Sequence, residues 1–218
     1  MQPEKRRNNN EPLSALTHAL GALLSVAALT LMVVYAAQHG TPVHVTGYAV
    51  FGASLIFLYG TSAVYHFFPR ETRIKKIFQR IDHAMIFVLI AGTYTPISLS
   101  MPQREWGWSI FGVIWGLGLV GIVLKLTGVK IREWVTVTLY IGMGWLALLA
   151  IKPLMIWLSP EALGWLFAGG AFYTLGCVFF ALDNIFPGRP WFSLHDVFHL
   201  FVMGGSFCHF WLMYRYVL

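Results

Sequence analysis

His195 and His199 stand four residues apart. On a helix that spacing projects both imidazoles from one face, where they can bind one ion. Ser62 and His66 repeat the spacing elsewhere in the chain. Three neutral imidazoles and a water make a common open zinc site, and a nearby carboxylate would orient or deprotonate that water. The pattern reads as catalytic rather than closed and structural. A pair of histidines at this spacing is weak on its own, because it also arises by chance in apolar helices. Its weight depends on whether the elements carrying these residues bring them to one place.

The other polar candidates read differently. Asp196 follows the first histidine as Glu does in an HExxH metalloprotease motif, so it could act as a general base. It is wrongly phased for the histidine face, however, and lies at a helix start, which favours a helix-end charge or an orienting residue. Asp183 reads as a boundary residue in the same way. His18 shares a face with Ser14, Gly21 and Ser25, a small-polar stripe typical of a helix-packing seam around a satisfied histidine. His83 points about 100° away from Asp82 on the same helix and reads as an interface or loop-facing residue. His209 lies ten residues beyond His199, about 15 Å along the axis, too far to share an ion. His39 and His44 read as loop residues. Cys177 and Cys208 have no CxxC spacing and read as small apolar filler. Gly112 and Gly116 form a GxxxG pattern, a weak sign of close helix packing.

The elements that must position these residues are membrane spans. In 218 residues, 57% are hydrophobic and 11% charged, far from the composition of soluble domains. A hydrocarbon core about 30 Å thick needs roughly 20 apolar residues per spanning helix. Seven such segments fit: 13–38, 43–67, 81–101, 106–125, 133–151, 161–182 and 194–217. The expected architecture is an all-α integral membrane bundle of seven transmembrane helices, with 1–12 as an amino-terminal tail and 13–218 as one domain. The first span is too long for the apolar core of a signal peptide. Thr95-Pro96 is expected to kink the third span. The longest connection, 68–80, leaves no soluble catalytic domain, so any chemistry sits inside the bundle.

Orientation follows from the basic residues, which concentrate in cytoplasmic loops. Of fifteen Lys and Arg, twelve fall on one side and only Arg104, Lys152 and Arg215 on the other. The amino terminus is therefore expected in the cytoplasm and the carboxyl terminus outside, opposite to G-protein-coupled receptors. The net charge of +6 is mainly this topology signal, and no nucleic-acid partner is implied. In the 70–80 connection, Ile74, Ile77, Phe78 and Ile81 recur at helical spacing among basic residues. That suits a segment lying on anionic headgroups, or equally a solvated loop.

With this topology the polar residues fall at one depth. Ser62 and His66 end the second span, Asp82 and His83 begin the third, and His195, Asp196 and His199 open the seventh. Thr17 and His18 open the first. All lie near the cytoplasmic ends of their helices. Ionisable groups within spans are costly and commonly face a bundle interior or wet cavity, so one shared layer is expected.

These residues resemble the hemolysin III-related proteins, bacterial members of the progestin and AdipoQ receptor superfamily. The likeness covers nearly the whole chain. It rests on the seven spans, the segment from Glu11 to His18, Ser62-Ala-Val-Tyr-His66, Asp82 and His195-Asp-Val-Phe-His199. Ser14 stands where many relatives have Asn. The resemblance implies a zinc ion held by His66, His195 and His199, with Asp82 contacting a water on the zinc and Ser62 supporting it. It also implies kinship with intramembrane alkaline ceramidases, and hence hydrolysis of a lipid amide or ester.

The leading expectation is a zinc-dependent hydrolase in the cell (inner) membrane, acting on a membrane lipid near the cytoplasmic leaflet. Alternatives are a receptor or regulator with structural zinc, and a hemolysin-like pore. An ion pathway would favour charged groups midway through the spans, and these are absent. The last span offers no Lys for a retinal Schiff base.

Overall fold

The computed structural model describes residues 11–69, 72–183, 185–186 and 192–218. The chain is all-α, and seven helical spans among these residues are long and apolar enough to cross a membrane. Helices dominate because lipid offers no partner for free backbone N–H and C=O groups. They run as α1 (Pro12–His39), α2 (Pro42–Phe67), α3 (Arg73–Ser100) and α4 (Arg104–Leu126), followed by α5 (Glu133–Gly144) and α6 (Ile151–Trp157). The last two are α7 (Pro160–Asp183) and α8 (Leu194–Leu212), and a π-helical turn closes the chain at Met213–Val217.

Local chemistry sets these boundaries. Proline opens α1, α2 and α7, where its missing N–H costs nothing and its φ suits the first helical turn. Thr72 caps α3 by accepting from the Lys75 N–H. Ser193 and Asp196 form a capping box at α8. Past the end of α4, Gly128 takes φ of +74°, the left-handed conformation that lets its N–H return to the Lys125 carbonyl.

The helices α1, α2, α3 and α4 pack as successive antiparallel neighbours, α7 pairs with α8, and α8 returns to α1. At the centre, α3 is buried without interruption from Ala91 to Ser98. By contrast, α5 touches α3 and α7 along only short stretches. The space left between them is a cavity of about 630 Å³, walled by α3, α5, α7 and α8. Leucine and valine side chains on the outer faces of α1 and α4 remain exposed, as a lipid-facing surface requires.

Several expected details change. The fifth span does not stop at 151; it breaks after Gly144, runs as a 3₁₀ helix through Leu146–Ala150 and continues as α6 to Trp157. Tyr94 fills the break, donating its hydroxyl to the Gly144 carbonyl at 2.7 Å and accepting from the Ala147 N–H at 2.9 Å. The 68–80 connection is shorter than expected, because the segment from Arg73 is already the first turns of α3. Pro96 lies within α3 without ending it. Gly112 and Gly116 have no neighbour where a Cβ would point; α4 instead meets α3 through Gly107, Gly118 and Gly121. The tail through residue 10, with its basic residues, lies outside the described residues, as do Arg70 and Arg189.

Candidate metal centre

His66, His195 and His199 come together at one end of the bundle, with one ring nitrogen from each lying within 4.8 Å of the others. They arrive from the last turn of α2 and the first two turns of α8. His66 and His199 are almost fully buried, and His195 is half-buried. The Nε2 atoms of His195 and His199 face each other at 3.1 Å. Two imidazole nitrogens at that distance need a shared proton or a shared cation between them.

The outward faces of two rings are held. Glu11 Oε2 lies 2.8 Å from His66 Nδ1, and the Glu11 N–H also donates to the His66 carbonyl at 3.3 Å. A carboxylate can only accept, so Nδ1 carries the hydrogen and a neutral ring keeps its lone pair on Nε2. That Nε2 is buried with no hydrogen-bond partner among the described residues. His199 Nδ1 faces Thr17 Oγ1 at a long 3.5 Å, which leaves its Nε2 turned toward His195. An orphaned buried nitrogen, two converging nitrogens and outer faces tied to oxygen fit a metal-ligating set. These three histidines could hold a metal ion.

Around them, Asp82 is 8% exposed at the third turn of α3, and Ser62 is buried on α2. Both residues line the cavity, together with His195 and His199. The expected shared layer is thus a real meeting of α1, α2, α3 and α8. Asp196 turns the other way: its Oδ2 accepts from the Ser193 N–H at 2.8 Å and its Oδ1 from the Ser14 hydroxyl at 2.5 Å. Its acceptor capacity goes to capping α8 and pinning α1, in keeping with a helix-end charge. Asp183 likewise accepts from the His195 N–H at 3.2 Å. His83 lines the cavity.

His18 departs from expectation. Ser14, His18, Gly21 and Ser25 are all buried, as a packing seam requires. The histidine is not satisfied, however, since neither ring nitrogen has a hydrogen-bond partner among the described residues. Its ring stacks on that of His199, with centroids 3.5 Å apart and planes 12° apart.

Two residues of the site escape a sequence reading. Glu11 falls before the first span, 55 positions from the histidine it orients. Lys75 reads as one of a run of headgroup cations, yet its side chain is buried, donates to Glu11 Oε2 at 2.8 Å and lies 4.7 Å over the Tyr65 ring. Burial alone would raise the Glu11 carboxyl, but the His66 hydrogen bond and Lys75 prevail and hold it below the usual carboxylate range. The advance signals were slight: Glu11 opens the segment that carries the family resemblance, and Lys75 flanks a span at the depth of the histidine layer.

Comparison with known proteins agrees with this architecture. The family model described as haemolysin-III related matches residues 6–210. Hemolysin-3 of Bacillus cereus is 38% identical over 208 residues, covering 95% of this chain and 92% of its own. A Hemolysin-3 homolog of Bacillus subtilis is 36% identical over 206 residues, covering 94% and 93%. Heptahelical transmembrane protein 4 of Arabidopsis thaliana is 29% identical over 181 residues, covering 75% of this chain and 46% of its own. With a family match over nearly its whole length, seven apolar spans and a buried three-histidine cluster, the chain belongs to the haemolysin-III related family of membrane proteins.

Proposed function

We propose that this protein is a zinc-dependent intramembrane hydrolase that cleaves a lipid amide or ester near the cytoplasmic leaflet of the cell membrane. The observation that carries the reading is a three-histidine donor set, two of whose members, His195 and His199, line a largely apolar cavity whose wall also holds Asp82. A site meant only for structure would close the coordination with a fourth protein ligand. Imidazole donors suit zinc, and an open three-histidine set is common among catalytic zinc sites.

His66, His195 and His199 hold the ion, while Glu11 and the Thr17–Ser14 corner of α1 keep two of the rings in register. When bound, zinc polarises an acyl carbonyl and lowers the pKa of a water to about 7. Asp82, on the wall of the same cavity, would accept a proton from the attacking water as its oxygen adds to the acyl carbon, and would return it to the departing amine or alcohol as the carbon–nitrogen or carbon–oxygen bond breaks. Ser62, which lines the cavity beside it, would support the carboxylate. The apolar wall of α3, from Ile86 to Met101, accommodates the acyl chain and limits water.

Incubating the purified protein with a membrane lipid extract, with and without a chelator, tests this reading. Mass spectrometry is expected to find fatty acid released only when the metal is present. Stoichiometric zinc with no released fatty acid from any lipid class would favour a receptor or regulator with structural zinc. Chelator-insensitive ion flux through protein-containing vesicles would favour a pore.

A further inference from the structure

The cavity continues along α8 past a histidine that the metal cannot use. His209 lies ten residues beyond His199, about 15 Å farther along the helix axis. It is 5% exposed and its ring lines the cavity. Its Nδ1 is buried with no hydrogen-bond partner among the described residues. An imidazole midway through a span is costly, and one with an unmet nitrogen more so, unless a ligand supplies a partner.

The surroundings hold this ring at the cavity wall. A Cβ at Gly169 of α7 would lie 2.5 Å from His209 Nε2, so the ring occupies space that only glycine leaves open. Tyr173 lies against the ring with centroids 5.6 Å apart and planes 23° apart. The neighbouring hydroxyls satisfy one another: Tyr59 donates to Ser206 Oγ at 2.7 Å, and Tyr173 meets the same oxygen at 3.0 Å. On the α3 wall of the same cavity, Ser98 is buried with its Oγ also unpartnered among the described residues. The cavity is therefore not a plain hydrocarbon sleeve. It carries polar groups with unmet capacity among apolar ones such as Ile97, Leu154 and Val202.

We propose that His209 forms a tail subsite, selecting an acyl chain that bears a hydroxyl well down its length. The proposal rests on the hydrolase reading in one respect: the acyl carbonyl is placed at the histidine cluster. A span of about 15 Å then corresponds to on the order of a dozen carbons of an extended chain with bonds of about 1.5 Å. A plain alkyl chain leaves the imidazole unmet, whereas a hydroxyl at that position gives it a partner. Sites built to hydrogen-bond a substrate hydroxyl reject the analogue that lacks it, because their own polar groups are then stranded.

The test uses the full chain purified in detergent and two probes: stearate, and a hydroxystearate with its hydroxyl about twelve carbons from the carboxyl. Binding is read by titration calorimetry, and zinc content is measured on every sample. The wild type is expected to bind the hydroxylated acid at least about tenfold more tightly. His209→Phe, which keeps a ring of similar size, is expected to keep its zinc and stearate affinity but lose the preference. His209→Gln, which retains a donor and an acceptor, is expected to keep part of it. Moving the hydroxyl next to the carboxyl is expected to abolish the gain. Equal binding of the two acids by wild type, or a preference that survives in both the Phe and Gln variants, overturns the subsite. Because binding is read without turnover, a preference in the absence of lipid hydrolysis leaves the subsite standing while the hydrolase reading falls. Hydrolysis without a preference does the reverse.

Discussion

The Glu11 carboxylate sits between a metal-ligand candidate and a buried cation, 2.8 Å from His66 Nδ1 and 2.8 Å from Lys75 Nζ. It does two jobs: it fixes which nitrogen of His66 faces the cluster, and it neutralises the buried Lys75 ammonium, which also lies over the Tyr65 ring. Orienting partners of this kind commonly contribute 10- to 100-fold to metal affinity. Glu11→Gln is expected to weaken zinc binding by that order in a chelator competition, and His66→Ala to empty the site. Adding Lys75→Met to Glu11→Gln removes the stranded cation, so thermal stability is expected to recover while zinc affinity stays low. If the double variant regains full zinc affinity, Glu11 acts only through Lys75.

Asp82 and Asp196 are separated by what they touch. Asp82 lines the cavity together with Ser62, whereas Asp196 is occupied by Ser193 and Ser14. Asp82→Asn is expected to keep stoichiometric zinc and lower any lipid hydrolysis by about 100- to 10,000-fold, the usual range for a lost general base. Asp196→Asn is expected to lower the unfolding temperature and leave kcat much less affected. The opposite pattern would make the HExxH-like aspartate the base.

Tyr94 bridges the break in the fifth span through the Gly144 carbonyl and the Ala147 N–H. Tyr94→Phe strands both backbone groups where water is scarce. A loss of about 2–6 kcal/mol in stability follows, if each of the two stranded groups costs the roughly 1–3 kcal/mol usual for an unsatisfied group away from water. Thermal unfolding in detergent, with the zinc site loaded, measures it. An unchanged unfolding temperature would mean the break is held by packing alone.

The proposed orientation places the histidine cluster toward the cytoplasm. Reporters fused after Leu218 are expected to read outside, and reporters inserted between Phe68 and Thr72 to read inside. A cytoplasmic carboxyl terminus would move the chemistry to the other leaflet.

The seven spans and the three histidines were legible because lipid imposes a length and makes buried imidazoles rare. The partners of the histidines were less so. Glu11 reaches His66 across 55 positions, and no periodicity links them. His18 belongs to the expected seam, but its contact is the face of His199 and not a hydrogen bond, which residue type alone does not reveal. The fifth span is apolar throughout, so hydropathy could not show that its backbone bonding breaks after Gly144; the cause is a tyrosine from another helix. The glycines of α4 misled for a related reason. Spacing identified Gly112 and Gly116, while the neighbouring α3 is approached from Gly107, Gly118 and Gly121 on the other face.

The contacts from Ser14 to Asp196 and from Glu11 to His66 tie the beginning of the chain to its last helix and to the second. During synthesis, α1, α2 and α3 emerge long before α8, so a half-made chain carries Glu11, His66 and Asp82 with nothing to close the cluster. A metal ion could be gripped by all three imidazoles only after the final helix has inserted. Metal loading would thereby record the insertion of α8, and a chain that stalls before α8 would expose an unfinished polar cleft at the edge of the bilayer.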